Sequence, residues 1–270
     1  MRLLAVIALA LALAGTAQAQ CDSYTKLMLH GDGPNASTNI VDSAFSNTIS
    51  VIGNAQLLTN AYKFGGASIS CDGSGDYLIV SNNANYKIGT NDFTVDAWIK
   101  LTSDTGYRSF FYFGDGANAT SYVISLRLND TKHLQAQAYF GGTNALSIID
   151  AGTITNNEAW AHVAFVRSTT NFFLFKNGSL VGQTNTAGVA TVNDSTQPII
   201  FGCLWVRGQP YAELYSWWNG YIDEARFSVG VARWTAAFTP PTSAYCAEVA
   251  QTSRRKPYLQ LHELTTGATP

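Results

Sequence analysis

Paired carboxylates would be the first sign of an enzyme in this sequence, because glycoside hydrolases place two of them around one sugar. A strand supplies such a pair when acids stand at spaced positions, as in an E-x-D-x-x-E run, and the sequence contains no such run. Asp223 and Glu224 are adjacent, so regular alternation directs them to opposite faces. Asp92 is four positions from Asp96 but lies at the edge of its predicted strand. Four histidines stand in separate segments without metal-ligand spacing: His30, His133, His162 and His262. We therefore predict that the protein is not an enzyme.

Asp223 is more informative about a binding site. Alternation places Asp223 on the same face as Ala225 and Phe227. The opposite face carries Glu224 and Arg226 and is the more polar, so Asp223 is predicted to point inward. A buried carboxylate is costly unless it is paired, hydrogen-bonded or coordinated to a metal. The residues alone leave three partners open, namely a metal ion, backbone N–H groups or an arginine.

Aromatic side chains favour a binding surface, because their rings combine a large apolar face with a polar tip. One candidate surface comprises residues predicted to point outward on one sheet: Trp98, Arg127, Gln137 and Tyr139. A second candidate is the segment 205–218, with rings at Trp205, Tyr211, Tyr215 and Trp217. Surface loops carry function disproportionately, which favours the second group. Two alternatives stay open: Trp98 also fits a packing role under a loop, and the adjacent tryptophans also fit a protein interface.

Short alternating runs separated by turn residues position these side chains, and no long amphipathic helix is predicted. This pattern is typical of an all-β sandwich or barrel. The clearest runs are 93–101, 122–128 and 133–140. Each has one apolar and one mixed face, as expected when two sheets pack face to face. Asn177-Gly178 predicts a hairpin turn, because this pair tolerates positive φ at both central positions.

The two ends of the chain differ from its middle. A positive residue and an unbroken apolar run lead to a small-x-small pattern at 17–19, so residues 1–19 are predicted to be a signal peptide and the mature protein to be secreted. Residues 20–246 form one predicted domain. Residues 247–270 carry a basic run followed by strand-like alternation. They are predicted to be a C-terminal extension that either frays or pairs with another copy of the chain.

Composition excludes several classes of partner. Charged residues make up 13% of the 270 residues and the net charge is −2, against about 25% charged residues in typical soluble domains. A nucleic-acid partner is therefore not expected. The apolar N-terminal run is too short to cross a bilayer, and no other segment is apolar enough, so no membrane span is predicted.

Nine short motifs follow one another between residues 25 and 245. They occupy 27–33 with 41–43, then 63–68, 72–78, 91–99, 160–164, 176–178, 219–227, 231–235 and 238–241. In this order they resemble a laminin-G-like domain of the concanavalin-like superfamily, of the bacterial or phage type. The resemblance implies a jelly roll of two antiparallel sheets packed as a β-sandwich.

The resemblance also implies one structural calcium ion near Asp223. The remaining ligands implied are oxygen atoms from the opening strand near Asp32 and from the turn Gly65-Gly66. Calcium accepts such mixtures of carboxylate and carbonyl oxygens.

A disulfide is implied in the same way. Cys21 precedes the first strand and Cys246 follows the last matched motif, and this fold usually brings its ends together. A Cys21–Cys246 disulfide is therefore expected. Cys71 and Cys203 then either pair with each other or remain buried free thiols, and we favour free thiols.

The sequence thus predicts a secreted β-sandwich that binds a glycan or a surface polymer and carries a structural calcium. The alternative is a structural protein of a virion or surface filament, in which residues 247–270 dock on another copy or a larger assembly. The fold alone does not decide between them.

Overall fold

A computed structural model describes most of the predicted domain. The described residues are 22–102, 106–114, 122–140, 144–155, 159–188, 190–193, 196–206, 209–210 and 216–246. The predicted signal peptide, Cys21 and the extension 247–270 lie outside these ranges. The signal peptide, the Cys21–Cys246 disulfide and the role of the extension therefore stay predictions. No helix in the described ranges has the length and apolar character that a membrane span requires.

The regular structure is almost entirely β. In chain order the strands are β1 (Thr25–Leu29), β2 (Ile49–Ile52), β3 (Gln56–Leu58), β4 (Ser68–Asp72), β5 (Tyr77–Val80), β6 (Phe93–Leu101), β7 (Arg108–Gly114), β8 (Tyr122–Leu128), β9 (His133–Phe140), β10 (Asn144–Thr153), β11 (Ala161–Ser168), β12 (Asn171–Lys176), β13 (Ser179–Asn185), β14 (Ile199–Phe201), β15 (Trp205–Val206), β16 (Gln209–Pro210) and β17 (Asn219–Val229). One 3-10 helix, Ala84–Tyr86, follows β5.

The strands form two large antiparallel sheets and a small hairpin. Sheet A has the order β13-β12-β11-β6-β17-β4-β3, with β1 also paired to β17. Sheet B has the order β10-β9-β8-β7-β14-β5-β2, and β15 pairs with β16. The predicted two-sheet antiparallel β-sandwich is confirmed.

The core lies between the two sheets. Its residues include the apolar sets of the three alternating runs, such as Phe93, Val95 and Ile99 on β6 and Leu134, Ala136 and Ala138 on β9. The mixed faces of the same strands therefore point away from the core, as predicted. The hairpin turn is also confirmed, because Asn177 and Gly178 both have positive φ, +50° and +77°.

The segment 231–245 covers the part of the outer face of sheet A that lies over β11 and β12. Trp234 and Phe238 of this segment stack with ring centroids 4.0 Å apart. They pack over an apolar cluster that includes Val166 and Phe175. This part of the outer face is therefore closed to a large ligand.

The outer face of sheet B is covered over only part of its width. An apolar cluster lies on β5, β7 and β14 and on the residues that follow β14, and Trp217 packs against it. Its members are Tyr77, Tyr112, Ile200 and Cys203. The outward side chains of β8, β9 and β10 are only partly buried or exposed at several positions, including Arg127, Gln137 and Ser147.

Cys71 and Cys203 are free, buried thiols, as favoured by the sequence. Burial raises the pKa of both thiols well above the ordinary value. Neither is therefore prepared to act as a nucleophile in the native state.

Candidate functional site

A β-bulge in β17 determines where Asp223 points. The next paired position after Asp223 joins Arg226 to Asp96, so β17 holds one extra residue. Glu224 lies in the bulge with φ +50°. Because the extra residue resets the alternation, Asp223 faces away from the core that contains Phe227. The prediction that Asp223 shares the inward face was wrong, since simple alternation does not anticipate an inserted residue.

Asp223 is nevertheless fully buried, beneath the turn at 63–66. Its Oδ2 accepts hydrogen bonds from the backbone N–H groups of Lys63 at 2.7 Å and Phe64 at 3.1 Å. Its Oδ1 is buried beside Gly31 and has no hydrogen-bond partner in the described residues. A buried acceptor without a partner costs roughly 1–3 kcal/mol. This oxygen therefore marks a position suited to a cation.

Asp32 lies at the same site. Its carboxylate packs so closely on Gly65 that a Cβ atom there would overlap it. Gly65 and Gly66 have φ +64° and +100°, which favour glycine. The structure therefore brings Asp32 and Gly65 together near Asp223, and Gly66 continues the same turn.

Glu224 and His30 also belong to this cluster. We call the four residues Asp32, Asp223, Glu224 and His30 the acidic site. His30 Nδ1 lies 3.0 Å from Glu224 Oε1. His30, Asp32 and Glu224 each offer one ligand atom within 4.8 Å of the others. Sequence reasoning missed His30 and Glu224, because 194 positions separate them and only the β1–β17 pairing brings them together.

The carboxylates of the acidic site all resist ionisation. Burial, with the nearby charges of Glu224 and Asp32, raises the pKa of Asp223 to about 7. Burial also raises the pKa of Asp32 and that of Glu224. For His30, burial is outweighed by the Glu224 hydrogen bond and charge, so its pKa is raised. A bound cation would relieve the repulsion between these carboxylates.

A buried polar network continues from the acidic site along the outer face of sheet A. Asp96 accepts two hydrogen bonds from Arg226, both 3.0 Å long. His162 Nε2 lies 2.8 Å from Tyr245 Oη and 3.6 Å from Asp96 Oδ2. The Tyr245 backbone N–H donates to Glu224 Oε2 at 2.7 Å. The segment 231–245 is thus tied to the sheet by polar as well as apolar contacts.

The other carboxylates considered for catalysis have separate structural partners. Asp92 accepts a hydrogen bond from the Thr169 backbone N–H at 2.6 Å, and Asp96 is paired with Arg226. Asp92 and Asp96 therefore do not form a carboxylate pair. The absence of enzymatic activity stays a prediction.

The second candidate site is the outer face of β8, β9 and β10, which we call the polar platform: Ser125, Arg127, Gln135, Gln137, Tyr139 and Ser147. Cross-strand pairing places five of these side chains in two neighbouring rows, one through Ser125, Gln137 and Ser147 and one through Arg127 and Gln135. Tyr139 lies in the next row, beyond Gln137. Side-chain hydrogen bonds join Arg127 Nε to Gln135 Oε1 at 2.9 Å and Gln135 Nε2 to Ser147 Oγ at 2.8 Å.

Gln137 lies at the centre of the platform. Its Oε1 accepts hydrogen bonds from Ser125 Oγ at 3.3 Å and from Tyr139 Oη at 3.4 Å. Its amide nitrogen has no hydrogen-bond partner in the described residues. The predicted residues Arg127, Gln137 and Tyr139 thus lie together on one surface.

Trp98 does not belong to this surface. It lies on β6 of sheet A, and only 6% of its surface is exposed. Phe64 packs edge-on against its ring, and Lys63 Nζ lies 3.9 Å from the ring centroid. The prediction that Trp98 points outward on the same sheet as Arg127 was wrong. The turn at 63–66 covers its indole.

The aromatic segment 205–218 is only partly described. Trp217 is half-buried, and its ring lies 5.8 Å from that of Tyr77. Trp205 belongs to β15, but its side chain lies outside the described residues, as do Tyr211 and Tyr215. Ligand binding by these four residues stays a prediction.

A comparison with known protein families finds a match. Residues 72–233 match the laminin-G type 3 family, described as the concanavalin A-like lectin/glucanases superfamily. The match covers more than half of the chain and contains β5 to β17. A comparison with curated protein sequences finds no match.

Several solved structures share the fold. The binding domain of Paraclostridial Mosquitocidal Protein 1 superposes with a TM-score of 0.58 at 17% identity, over 79% of this chain and 50% of that one. The ligand binding domain of botulinum neurotoxin serotype D, in complex with N-acetylneuraminic acid, gives 0.56 at 17% identity, over 76% and 47%. A structure of botulinum neurotoxin type C, whose cell entry depends on interaction with two ganglioside molecules, gives 0.53 at 16% identity, over 76% and 48%. This chain spans about half the length of these structures, and at such identities the likeness shows the fold alone.

Proposed function

This chain belongs to the concanavalin A-like lectin/glucanase superfamily, and we propose that it is a secreted, non-catalytic module that binds a glycan through the polar platform of sheet B. Membership in this superfamily does not itself specify a ligand. The proposal therefore depends on the surfaces that the fold leaves accessible.

One observation carries the proposal, namely the contrast between the outer sheet faces. Segment 231–245 covers the β11–β12 part of sheet A, and the Tyr77 cluster occupies one part of sheet B. The polar platform occupies the other part, where Ser147 and Ile149 are exposed and Arg127, Gln137 and Tyr139 are partly exposed. A broad, accessible sheet surface lined with hydrogen-bonding side chains suits a hydroxyl-rich polymer.

The chemistry of the platform also fits a sugar. Gln137 directs an amide nitrogen with no described partner from the centre of the platform, beside the partly exposed ring of Tyr139. Sugars have hydroxyl groups that accept such hydrogen bonds and apolar ring faces that pack on aromatic rings. Structural neighbours that bind N-acetylneuraminic acid or interact with gangliosides support a glycan as the ligand class.

We further propose that the acidic site holds a structural calcium ion. The buried Asp223 Oδ1, which lacks a described partner, and the Asp32 carboxylate would be its protein side-chain ligands. Oxygen ligands of this type suit Ca²⁺. A calcium ion here would fix the turn at 63–66 to β17 and neutralise the clustered carboxylates, so its proposed role is stabilisation of the fold.

A glycan array probed with residues 20–270 tests the binding function. Gln137→Ala is expected to lose most of the binding signal, because it removes the amide at the centre of the platform. Gln56→Ala on β3, at the far edge of sheet A, is the matched control and is expected to bind normally. Equal binding by both variants would show that the platform is not the binding surface. Absence of binding by the unaltered chain would contradict the glycan-binding function.

A further inference from the structure

Arg127 is the charged residue of the polar platform, and two contacts hold its guanidinium group. Its Nε donates to Gln135 Oε1 at 2.9 Å. Its Cζ lies 5.4 Å from the ring centroid of Tyr107. Gln135 is held in turn by its bond to Ser147. A guanidinium group fixed in this way loses little conformational entropy when it binds a ligand.

The terminal nitrogens of Arg127 have no hydrogen-bond or ion-pair partner in the described part of the chain. Each of the other described arginines uses at least one of its terminal nitrogens. Arg226 is bonded to Asp96, Arg233 to Asp22 and Thr25, Arg167 to the carbonyl groups of Gly89 and Ala190, and Arg108 to the carbonyl of Tyr107. Within the described residues, Arg127 therefore presents a positive charge without an ion-pair partner, and its two terminal NH2 groups are available for a ligand.

These observations identify the chemical class of the ligand. A guanidinium fork pairs with a planar or tetrahedral oxyanion through two parallel hydrogen bonds. Gln137 lies in the row beside Arg127, within reach of the same sugar unit. We infer that the platform selects an acidic saccharide, with a carboxylate or sulfate group bound by Arg127 and the hydroxyl groups of the same or the next sugar bound around Gln137. This inference depends on the glycan-binding function proposed above.

Titration calorimetry with defined polymers tests the inference. The probes are polygalacturonate, its methyl ester, dextran sulfate and unmodified dextran. The unaltered chain is expected to bind at least one anionic polymer about tenfold more tightly than its neutral counterpart, since charge-assisted hydrogen bonds are about twice as strong as neutral ones. A preference for polygalacturonate over its ester assigns the carboxylate, and a preference for dextran sulfate over dextran assigns the sulfate.

Two variants test the role of Arg127. Arg127→Gln is expected to reduce the preference for the anionic polymer to roughly twofold or less, while Arg127→Lys, which keeps the charge without the fork, is expected to retain part of it. Melting temperatures confirm that both variants are folded. Because the basic run at 254–256 would also attract polyanions, a triple variant with glutamine at Arg254, Arg255 and Lys256 is the matched control and is expected to keep the preference.

The outcomes separate this inference from the proposed function. Equal affinity for acidic and neutral polymers would overturn the acidic ligand while leaving a glycan-binding module. A preference that survives Arg127→Gln, or that disappears in the triple variant, would overturn the assignment to Arg127. Absence of binding to every polymer here and to every glycan on the array would overturn both.

Discussion

Asp32 and Gly65 fit together so closely that the Asp32 carboxylate occupies the space where a Cβ atom of Gly65 would lie. This contact joins the loop after β1 to the turn at 63–66, and the same turn donates two backbone hydrogen bonds to Asp223. Three distant parts of the sequence therefore meet at the proposed calcium site.

The first prediction concerns this calcium. An ion that binds only the native state stabilises it by mass action, so a chelator is expected to lower the melting temperature and added calcium to restore it. Asp223→Asn is expected to abolish this dependence, and Gly65→Ala to weaken it, because the new Cβ displaces Asp32 and strains a backbone with φ +64°. The exposed Asp130→Asn is the control and should respond like the unaltered chain. Identical melts with and without chelator would rule out the site.

The second prediction concerns acid stability. Burial lowers the pKa of His162 by more than the nearby Asp96 raises it. At a pH where the histidine of the unfolded chain takes up a proton, the native protein therefore keeps His162 neutral. Stability is therefore lost as the pH falls below about 6.5, by up to about 1.4 kcal/mol per pH unit. His162→Asn is expected to be destabilised most at pH 8, with a difference from the unaltered chain that shrinks towards pH 5. Urea denaturation at both pH values measures this difference. A constant difference would show that His162 is not kept neutral.

Asp96 is expected to make the stability of the protein depend on pH in a more acidic range than His162 does. Burial raises its pKa, but the charge of Arg226 and the hydrogen bonds from His162 and Arg226 outweigh burial, and its pKa falls well below the ordinary value. Its contribution is complete above about pH 4 and is lost as the pH falls further. Asp96→Asn leaves Arg226 buried without a counter-charge and is expected to cost about 3–5 kcal/mol at pH 7. A cost of less than about 1 kcal/mol would contradict this account of the network.

The third prediction concerns the thiols. Cys71 and Cys203 are expected to be unreactive towards a thiol reagent in the native protein, because both are buried. After unfolding without reductant, two thiols per chain should react if Cys21 and Cys246 form the expected disulfide. Four reactive thiols would show that no disulfide forms, and peptide mapping would identify any other pairing.

The fourth prediction concerns Trp217. Its ring packs on Tyr77, so Trp217→Ala is expected to destabilise the protein by about 2 kcal/mol. Urea denaturation measures the loss, and the same glycan array separates packing from recognition. Unchanged stability together with lost glycan binding would instead show that the Trp217 ring binds the ligand.

The fifth prediction concerns the extension. If residues 247–270 add a strand to another copy, deleting them should convert an oligomer to a monomer in native mass spectrometry. A monomer before and after deletion would leave the assembly alternative without support from this segment.

Much of the fold was predictable from the sequence because it depends on local patterns. The alternation of 93–101 and 133–140 specified which side chains enter the core, and Asn177-Gly178 specified a turn. Even so, the pattern did not specify which sheet a strand joins, and this is why Trp98 was grouped with Arg127.

The candidate sites were predictable only in part, because they depend on long-range pairing. Asp32 and Asp223 were expected to meet through the family resemblance, whereas the orientation of Asp223 depends on the bulge at Glu224. His30 and Tyr245 contact Glu224 from opposite ends of the domain. No spacing in the sequence indicates such contacts.

The pairing of β1 with β17 has a consequence for how the chain folds. Thr25 pairs with Ser228, about 200 positions later, so the first strand has no native partner until nearly the whole domain has been synthesised. Contacts of such long sequence separation slow folding, because the entropy of closing the loop is lost before the contacts form. The acidic site, which needs both strands, is therefore assembled late, and a ribosome-bound chain that ends before residue 219 lacks it entirely.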